Sequence, residues 1–288
     1  MKRWRTATGG VIARGAGRSC DAARVDAATD LEFALALADA ADAVTLPRFR
    51  AADLRVDRKP DRTPVTDADR AAETALRALI AEQRPGDEVL GEEEGGELST
   101  VGRGWVLDPI DGTKNFSRGM PAWATLVALT VAGEPVVGVA SAPALGRRWW
   151  GGRGLGAWTS DGPGTDPRRI SVSAVGELGD AYLSTTDLRV FGRQGRMEHW
   201  LALVDACWET RAFGDFWQHC LVAEGVLDVS VDPVANAWDL AALVPILAEA
   251  GGRMTGLSGA GSFAEGDGVA TNGLLHDAAL ALVGTGRG

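Results

Sequence analysis

The chain has 288 residues, of which 45% are apolar and 24% are charged, a balance typical of a globular protein with a sizeable core. Its net charge of −10 argues against nucleic acid as a partner and suits a protein whose carboxylates hold divalent cations. The three cysteines include no CxxC pair, which disfavours a disulfide framework or a zinc site and favours the reducing cytoplasm. No apolar run reaches 18 residues, so we expect no membrane span.

Helices and short strands alternate along most of the chain. Residues 1–25 are rich in glycine and arginine, and we expect them to form a disordered tail. A polar loop is predicted at 57–64, and Thr66 is the predicted N-cap of the helix that follows it. The predicted helices cover residues 30–49, 67–84, 196–206, 216–225, 238–250 and 275–284. The predicted strands cover residues 88–90, 105–107, 123–131, 135–142, 147–150, 156–159, 181–184, 227–231 and 268–271.

This alternation predicts a mixed α/β enzyme of the α+β class. The segment 161–167 is rich in Gly, Pro and Asp and is the best candidate for a boundary between two halves. We therefore expect an N-terminal metal-binding half at 26–165 and a C-terminal substrate-specificity half at 166–288. Together they are expected to form one compact catalytic unit over 26–286.

The segment DPIDGT, residues 108–113, holds the residues best suited to chemistry. It follows an apolar strand at 105–107, and Pro109 cannot continue a hydrogen-bond ladder, so we expect the chain to turn there. Asp108 and Asp111 can then converge on one point at the end of the strand. The alternative for a generic pair of this spacing is that the two aspartates cap a turn and a helix.

Backbone groups of the same segment complete the predicted site. The carbonyl of Ile110 can serve as a third oxygen ligand beside the two aspartates, a set of donors that suits Mg²⁺. The backbone N–H groups of Gly112 and Thr113 can bind an oxygen of a phosphate group. The segment therefore predicts a site for magnesium and a small phosphorylated substrate.

The segment DPIDGT resembles the signature of the inositol monophosphatase family. Three further strings follow the family's order: TPVTD at 63–67, GEE at 91–93 and WD at 238–239. The resemblance extends over roughly residues 26–286. It implies a layered α-β-α-β-α sandwich, a homodimer and a magnesium-dependent phosphomonoesterase.

The resemblance also implies how the metals are held. Four carboxylates in one cluster repel each other strongly without cations, so two or three Mg²⁺ ions are expected. Neighbouring metals in such sites lie ~3.5–4 Å apart. The implied ligands are Glu92, Asp108, the carbonyl of Ile110, Asp111 and Asp239.

The catalytic roles follow from the same resemblance. Thr113 and Asp67 are expected to form a hydrogen-bonded pair that orients the attacking water, and Glu92 is expected to serve catalysis as well as the metals. The alternative for Asp67 is a role in capping the helix that begins there. Lys59 and Asp61 lie in a loop that either helps to bind a third metal or is simply solvated.

Substrate choice is expected to depend on the C-terminal half. Family members hydrolyse inositol phosphates, fructose bisphosphate, phosphoadenosine phosphate or histidinol phosphate. The chain most resembles the branch that acts on histidinol phosphate, in strings such as RRWW at 147–150 and RAFGD at 211–215. The substrate-binding candidates, besides Gly112 and Thr113, are Arg211, Asp215 and Asp232.

Two acids near the leaving group favour an alcohol that carries a cation, such as histidinol. Asp232 lies seven residues before Asp239, where the family places an acid that touches the substrate. The alternative for Asp215 is a helix N-terminal acid, and the alternative for Arg211 is a surface salt bridge. The predicted reaction is hydrolysis of L-histidinol phosphate in histidine biosynthesis.

Two other functions remain open from the sequence. An inositol monophosphatase or a broad sugar-phosphate phosphatase would use the same chemistry, and only relative rates would distinguish it. A catalytically inactive scaffold or regulator would be expected to lack a metal ligand. Every side chain expected to act in the site is present, which argues against that alternative.

Overall fold

The computed structural model describes residues 26–60, 62–98, 100–261 and 263–284. The predicted tail at 1–25 and the predicted third-metal residue Asp61 lie outside these ranges. Among the described helices, none is both long enough and apolar enough to cross a membrane.

Capping residues set where the first two long helices begin. Asp26 precedes the first helix and accepts a hydrogen bond from the N–H of Thr29 at 3.4 Å. Thr66 precedes the second and forms a reciprocal capping box with Asp69, which confirms Thr66 as the N-cap. The described helices are α1 (Ala27–Arg48), α2 (Asp67–Gln83), α3 (Thr113–Ser117), α4 (Leu188–Arg193), α5 (Met197–Ala206), α6 (Asp215–Ala223), α7 (Ala237–Leu240), α8 (Leu243–Glu249) and α9 (His276–Val283).

The strands form a short hairpin and two sheets. The hairpin pairs β1 (Val56–Arg58) with β2 (Pro64–Thr66). A seven-stranded sheet has the order β3-β4-β5-β6-β7-β8-β9, and a five-stranded sheet has the order β11-β10-β12-β14-β13. The remaining strands are β3 (Glu88–Gly91), β4 (Arg103–Asp111), β5 (Ala124–Val131), β6 (Glu134–Ala142), β7 (Arg147–Gly152), β8 (Gly156–Ser160), β9 (Arg168–Ile170), β10 (Tyr182–Thr185), β11 (Glu209–Arg211), β12 (Val229–Asp232), β13 (Arg253–Thr255) and β14 (Gly268–Thr271).

The elements stack in five layers. Helices α1 and α2 pack on one face of the seven-stranded sheet. Helices α6 and α8 fill the space between the two sheets, where they bury the largest apolar cluster. Helices α5 and α9 cover the outer face of the five-stranded sheet. The α+β class and the α-β-α-β-α order are therefore confirmed.

Three local predictions differ from the structure. The predicted loop at 57–64 contains parts of the β1–β2 hairpin. The predicted helix at 238–250 is divided into α7 and α8, because Pro245 lacks the N–H that a continuous helix would donate to Ala241. The seven-stranded sheet continues to Ile170, a few residues beyond the boundary predicted at 161–167.

Candidate active site

A β-bulge brings Asp108 and Asp111 to the same side of β4. Asp108 pairs with Leu126 of β5, whereas Asp111 pairs with Ala124, so β4 contains one extra residue between them. Residues three apart on a regular strand point to opposite faces, and the extra residue reverses that relation. Pro109 lies within the bulge, where its missing N–H costs no ladder bond. The turn predicted at Pro109 is therefore a bulge inside β4, and this bulge positions both carboxylates.

These two side chains meet Asp239 of α7. One oxygen from each of Asp108, Asp111 and Asp239 lies within 4.8 Å of the other two. Asp239 is fixed at the start of α7 by a 2.7 Å hydrogen bond from the N–H of Asn236. Glu92 lies outside this three-carboxylate group but lines the same pocket. The structure thus assembles, from distant parts of the chain, the acids that the sequence suggested as metal ligands.

Burial makes this cluster electrostatically unfavourable without cations. It raises the pKa values of Asp108 and Asp111 well above their usual range, and the neighbouring charges of Glu92 and Asp215, respectively, add to the effect. Burial also raises the pKa of Asp239 to about 7. A divalent cation would relieve both the repulsion and the desolvation. The all-oxygen donor set fits Mg²⁺, which prefers carboxylate and carbonyl ligands.

Lys59 lies at the edge of the cluster. Its Nζ lies 2.7 Å from Oε1 of Glu92 and 2.8 Å from Oε1 of Glu93. Burial alone would lower the pKa of Lys59, but the hydrogen bonds to the two glutamates raise it above its usual value. The loop before β2 thus directly contacts the turn that carries Glu92 and Glu93.

The predicted hydrogen bond between Thr113 and Asp67 is wrong. The hydroxyl of Thr113 lies 3.1 Å from Oδ1 of Asp69, whereas Asp67 accepts a 2.8 Å bond from Nη2 of Arg48. Residues two apart on a helix do not face the same direction, so only one of the two acids of α2 can reach Thr113. Burial raises the pKa of Asp69 to about 6.

Asp69 could have been identified from the sequence. Thr66 and Asp69 have the spacing of a capping box, which turns the acid of the third helical position back toward the helix start. In the structure Asp69 accepts the N–H of Thr66 at 2.8 Å and is fully buried. The capping geometry therefore aims Asp69 at the site and leaves Asp67 half-buried beside Arg48.

A pocket of about 340 Å³ lies over the carboxylates. Most of the predicted site residues line it, and so do residues to which the sequence gave no role, among them Lys114 and Asn236. Gly112 has a φ of 84°, and a Cβ there would lie 3.0 Å from the carbonyl oxygen of Ala122. Only glycine fits that conformation without strain. The predicted residues that line the pocket are Lys59, Glu92, Asp108, Ile110, Asp111, Gly112, Thr113, Asp215 and Asp239.

A smaller cavity of about 50 Å³ adjoins the main pocket and is lined by Asp215 and Asp232. Asp232 is buried and accepts hydrogen bonds from Nε2 of Gln218 at 2.8 Å and from Thr186. Its other oxygen lies 2.7 Å from Nε2 of His219. These contacts hold the Asp232 carboxylate in one orientation.

Asp215 has a strained backbone at the mouth of the same cavity. Its φ of 48° lies in the left-handed region that side chains other than glycine rarely adopt. The N–H of Asp215 donates to Oγ1 of Thr186 at 3.1 Å, and Nδ2 of Asn115 donates to its Oδ2 at 3.0 Å. Burial, followed by the charge of Asp232, raises the pKa of Asp215 to about 6. The two hydrogen bonds hold Asp215 where it lines both the main pocket and the smaller cavity.

Arg211 does not line either cavity. Its Nη1 lies 2.5 Å from Oε1 of Glu209 and 2.7 Å from the carbonyl of Thr210, and its side chain is 55% exposed. The predicted substrate contact of Arg211 is therefore replaced by the alternative, a surface salt bridge.

Comparison with known proteins gives consistent matches along the described part of the chain. The sequence model described as "Inositol monophosphatase family" matches residues 26–285. The histidinol-phosphatase of Mycobacterium tuberculosis is 54% identical over 257 residues, which are 89% of this chain and 98% of that protein. The histidinol-phosphatase of Streptomyces coelicolor is 49% identical, over 87% of this chain and 95% of that protein.

Solved structures have the same fold. An inositol monophosphatase from Zymomonas mobilis superposes with a TM-score of 0.77 at 34% sequence identity. The superposition covers 90% of this chain and 99% of that one.

Proposed function

The chain belongs to the inositol monophosphatase family, and from that premise we propose that it hydrolyses L-histidinol phosphate to L-histidinol and phosphate in histidine biosynthesis. The observation that carries the substrate is the 54% identity, over 98% of its length, to a histidinol-phosphatase. The acid pair Asp215 and Asp232 beside the carboxylate cluster supports it, because histidinol carries an ammonium group and an imidazole.

Glu92, Asp108, the carbonyl of Ile110, Asp111 and Asp239 would hold the two or three Mg²⁺ ions. When bound, Mg²⁺ lowers the pKa of a coordinated water and stabilises charge on the phosphate and the leaving oxygen. The buried carboxylates repel one another, and bound cations would neutralise that charge, which supports this assignment.

The protein's own groups orient the reactants. The single hydroxyl proton of Thr113 has two acceptors within reach, Oδ1 of Asp69 at 3.1 Å and the carbonyl of Ile110 at 3.0 Å. With the Ile110 carbonyl bound to a cation, the hydroxyl would donate to Asp69 and its lone pairs could accept a hydrogen bond from the attacking water. We assign Asp69, in place of Asp67, as the acid that sets this orientation. The N–H groups of Gly112 and Thr113 would bind a phosphate oxygen. Asp215 and Asp232 would bind the cationic end of the leaving alcohol.

We also propose that the protein is a cytoplasmic homodimer. The family resemblance supports a homodimer, and the cysteine content supports the cytoplasm. The net charge of −10 argues against nucleic acid as the partner, and the family match supports a small phosphorylated molecule.

Asp215→Asn should test the substrate assignment. An ionic hydrogen bond contributes roughly 1.5–3 kcal/mol, so kcat/KM for histidinol phosphate should fall about 10- to 100-fold. The kcat/KM for inositol 1-phosphate should fall by less than about threefold, because inositol has no cation for Asp215 to bind. Phosphate release measured on both substrates gives the ratio.

Arg211→Met is the matched control, since it removes a charge from the neighbouring strand outside both cavities. It should change neither kcat/KM by more than about twofold. An equal loss on both substrates in Asp215→Asn would mean that Asp215 is structural.

A further inference from the structure

A closed turn, residues 91–95, carries Glu92 and is called here the glutamate turn. The N–H of Gly91 donates to the carbonyl of Gly95 at 3.0 Å, and the N–H of Gly95 returns to the carbonyl of Gly91 at 3.1 Å. The N–H of Glu92 donates to the carbonyl of Leu107 on β4 at 3.2 Å. This hydrogen bond links the turn to β4, the strand that contains Asp108.

A buried carboxylate from another element fills the centre of this turn. Glu73 of α2 is fully buried, and its Oε2 accepts the N–H of Glu93 at 2.7 Å. Its Oε1 accepts the N–H of Glu94 at 3.1 Å. Two successive N–H groups that converge on one anion form a nest, a backbone geometry that binds anions. Here the anion is supplied by the protein itself.

Arg77, one helical turn later on α2, completes the arrangement. Its Nε donates to Oε1 of Glu73 at 2.8 Å, and its Nη2 donates to the carbonyl of Gly95. The guanidinium therefore balances the charge of the buried Glu73 carboxylate and holds Gly95, the last residue of the glutamate turn. A buried carboxylate without such partners would be strongly unfavourable.

Gly91 shows how closely the carboxylate is inserted. A Cβ at Gly91 would lie 2.0 Å from Oε1 of Glu73, a distance at which no side chain can remain. The position of Gly91 and the position of the Glu73 carboxylate therefore depend on each other. Glycine at 91 is required by the contact with Glu73.

We propose that Glu73 is a positioning residue for metal binding, which sets the place of Glu92 by holding the glutamate turn from inside. Glu73 does not line the pocket, so it acts through the turn and not on the substrate. Without its carboxylate, the N–H groups of Glu93 and Glu94 lose their shared acceptor and the turn is free to shift. Arg77 supports Glu73 in this role. The inference rests on the metal site proposed above.

Glu73→Gln should weaken metal binding without unfolding the protein, because the amide keeps the shape but turns one donor toward the N–H groups of the turn. Loss of a group that orients a metal ligand typically weakens metal affinity about 10- to 100-fold. Mn²⁺ titration followed by the electron paramagnetic resonance signal of the free ion gives the dissociation constant without turnover. Thermal unfolding of the same samples reports the fold separately.

Glu82→Gln is the matched control, since it makes the same change at an exposed position of the same helix. Its dissociation constant for Mn²⁺ should stay within about twofold of the wild-type value, because substitutions at exposed positions usually have small effects. If Glu73→Gln does not fold, Arg77→Gln decides the question, with an expected weakening of about 3- to 10-fold.

The outcomes separate the two proposals. If the wild type binds Mn²⁺, Asp111→Asn does not, and Glu73→Gln binds as tightly as the wild type, the positioning role of Glu73 is overturned and the metal site stands. A Glu73→Gln variant with a lower Tm but an unchanged dissociation constant would likewise make Glu73 merely structural. If Asp111→Asn binds Mn²⁺ as well as the wild type, the metal site fails, and the role of Glu73 fails with it.

Discussion

Asp111→Asn should lower kcat/KM for histidinol phosphate by roughly a thousandfold or more at millimolar Mg²⁺, since it removes a proposed metal ligand and not only a group that orients one. The fold should persist. Oδ2 of Asp111 accepts the N–H of Phe216 at 2.6 Å, and an amide oxygen can accept the same bond. Circular dichroism and phosphate release on the same preparation would test both parts.

The same substitution should stabilise the metal-free protein at pH 8. The pKa of Asp111 is raised in the folded state by burial and by Asp215, so the unfolded chain releases its proton first as the pH rises. Folded stability is therefore lost above the unfolded pKa of about 3.9. Removing one repelling charge should raise the free energy of unfolding by about 1 kcal/mol or more, which corresponds to an increase in Tm of roughly 2 °C or more.

This gain in Tm should disappear near pH 4, where the wild-type carboxyl is protonated, and should reverse when Mg²⁺ is added at pH 8. Asp277→Asn is the control, because it removes one negative charge from an exposed salt bridge with Arg253 on the far side of the five-stranded sheet. It should change Tm only slightly. Near-normal activity of Asp111→Asn would contradict the metal assignment.

The second large effect concerns the acid that Thr113 contacts. Asp69→Asn should lower kcat by about 10²- to 10⁴-fold, the usual contribution of a group that directs proton transfer. An amide at this position must place its NH₂ group toward either the N–H of Thr66 or the hydroxyl of Thr113, and each of these groups lies within hydrogen-bond distance of the carboxylate. Thr113→Val should have a similar effect, whereas Thr113→Ser keeps the hydroxyl and should restore much of the rate.

Asp67→Asn is the matched control two residues away. Oδ2 of Asp67 pairs with Arg48, Oδ1 is buried without a hydrogen-bond partner in the described part of the chain, and the side chain is 37% exposed. Its substitution should leave kcat within about threefold, as expected for a partly exposed salt bridge. A large loss in Asp67→Asn together with normal activity in Asp69→Asn would restore the pairing first predicted from the sequence.

Much of the site followed from the sequence because its acids lie in short, distinctive strings. The two aspartates of 108–113 flank Pro109, and this order predicted a turn there, whereas the structure has a bulge inside β4. The structure added the reason that both carboxylates face one way, the bulge between Asp108 and Asp111. The family resemblance is confirmed, and so are the layered fold and the alternation of helices and strands.

What the sequence did not yield depends on contacts between distant segments. Asp67 and Asp69 are both acids at a helix start, and only the capping geometry separates them. Glu73 is one of the two glutamates of α2, and its place inside the glutamate turn depends on the packing of α2 against β4. Strands β9, β11 and β13 have three residues each, too few for a periodic pattern to emerge.

The most direct test of the proposed activity is phosphate release by the wild-type protein, with and without Mg²⁺, from L-histidinol phosphate, inositol 1-phosphate, fructose 1,6-bisphosphate and phosphoadenosine phosphate. We expect magnesium-dependent release with a preference for histidinol phosphate of about a hundredfold or more, or about 2.7 kcal/mol in transition-state free energy. A flat profile or a preference for inositol 1-phosphate would contradict the substrate, and no release from any of the four would contradict the enzyme itself.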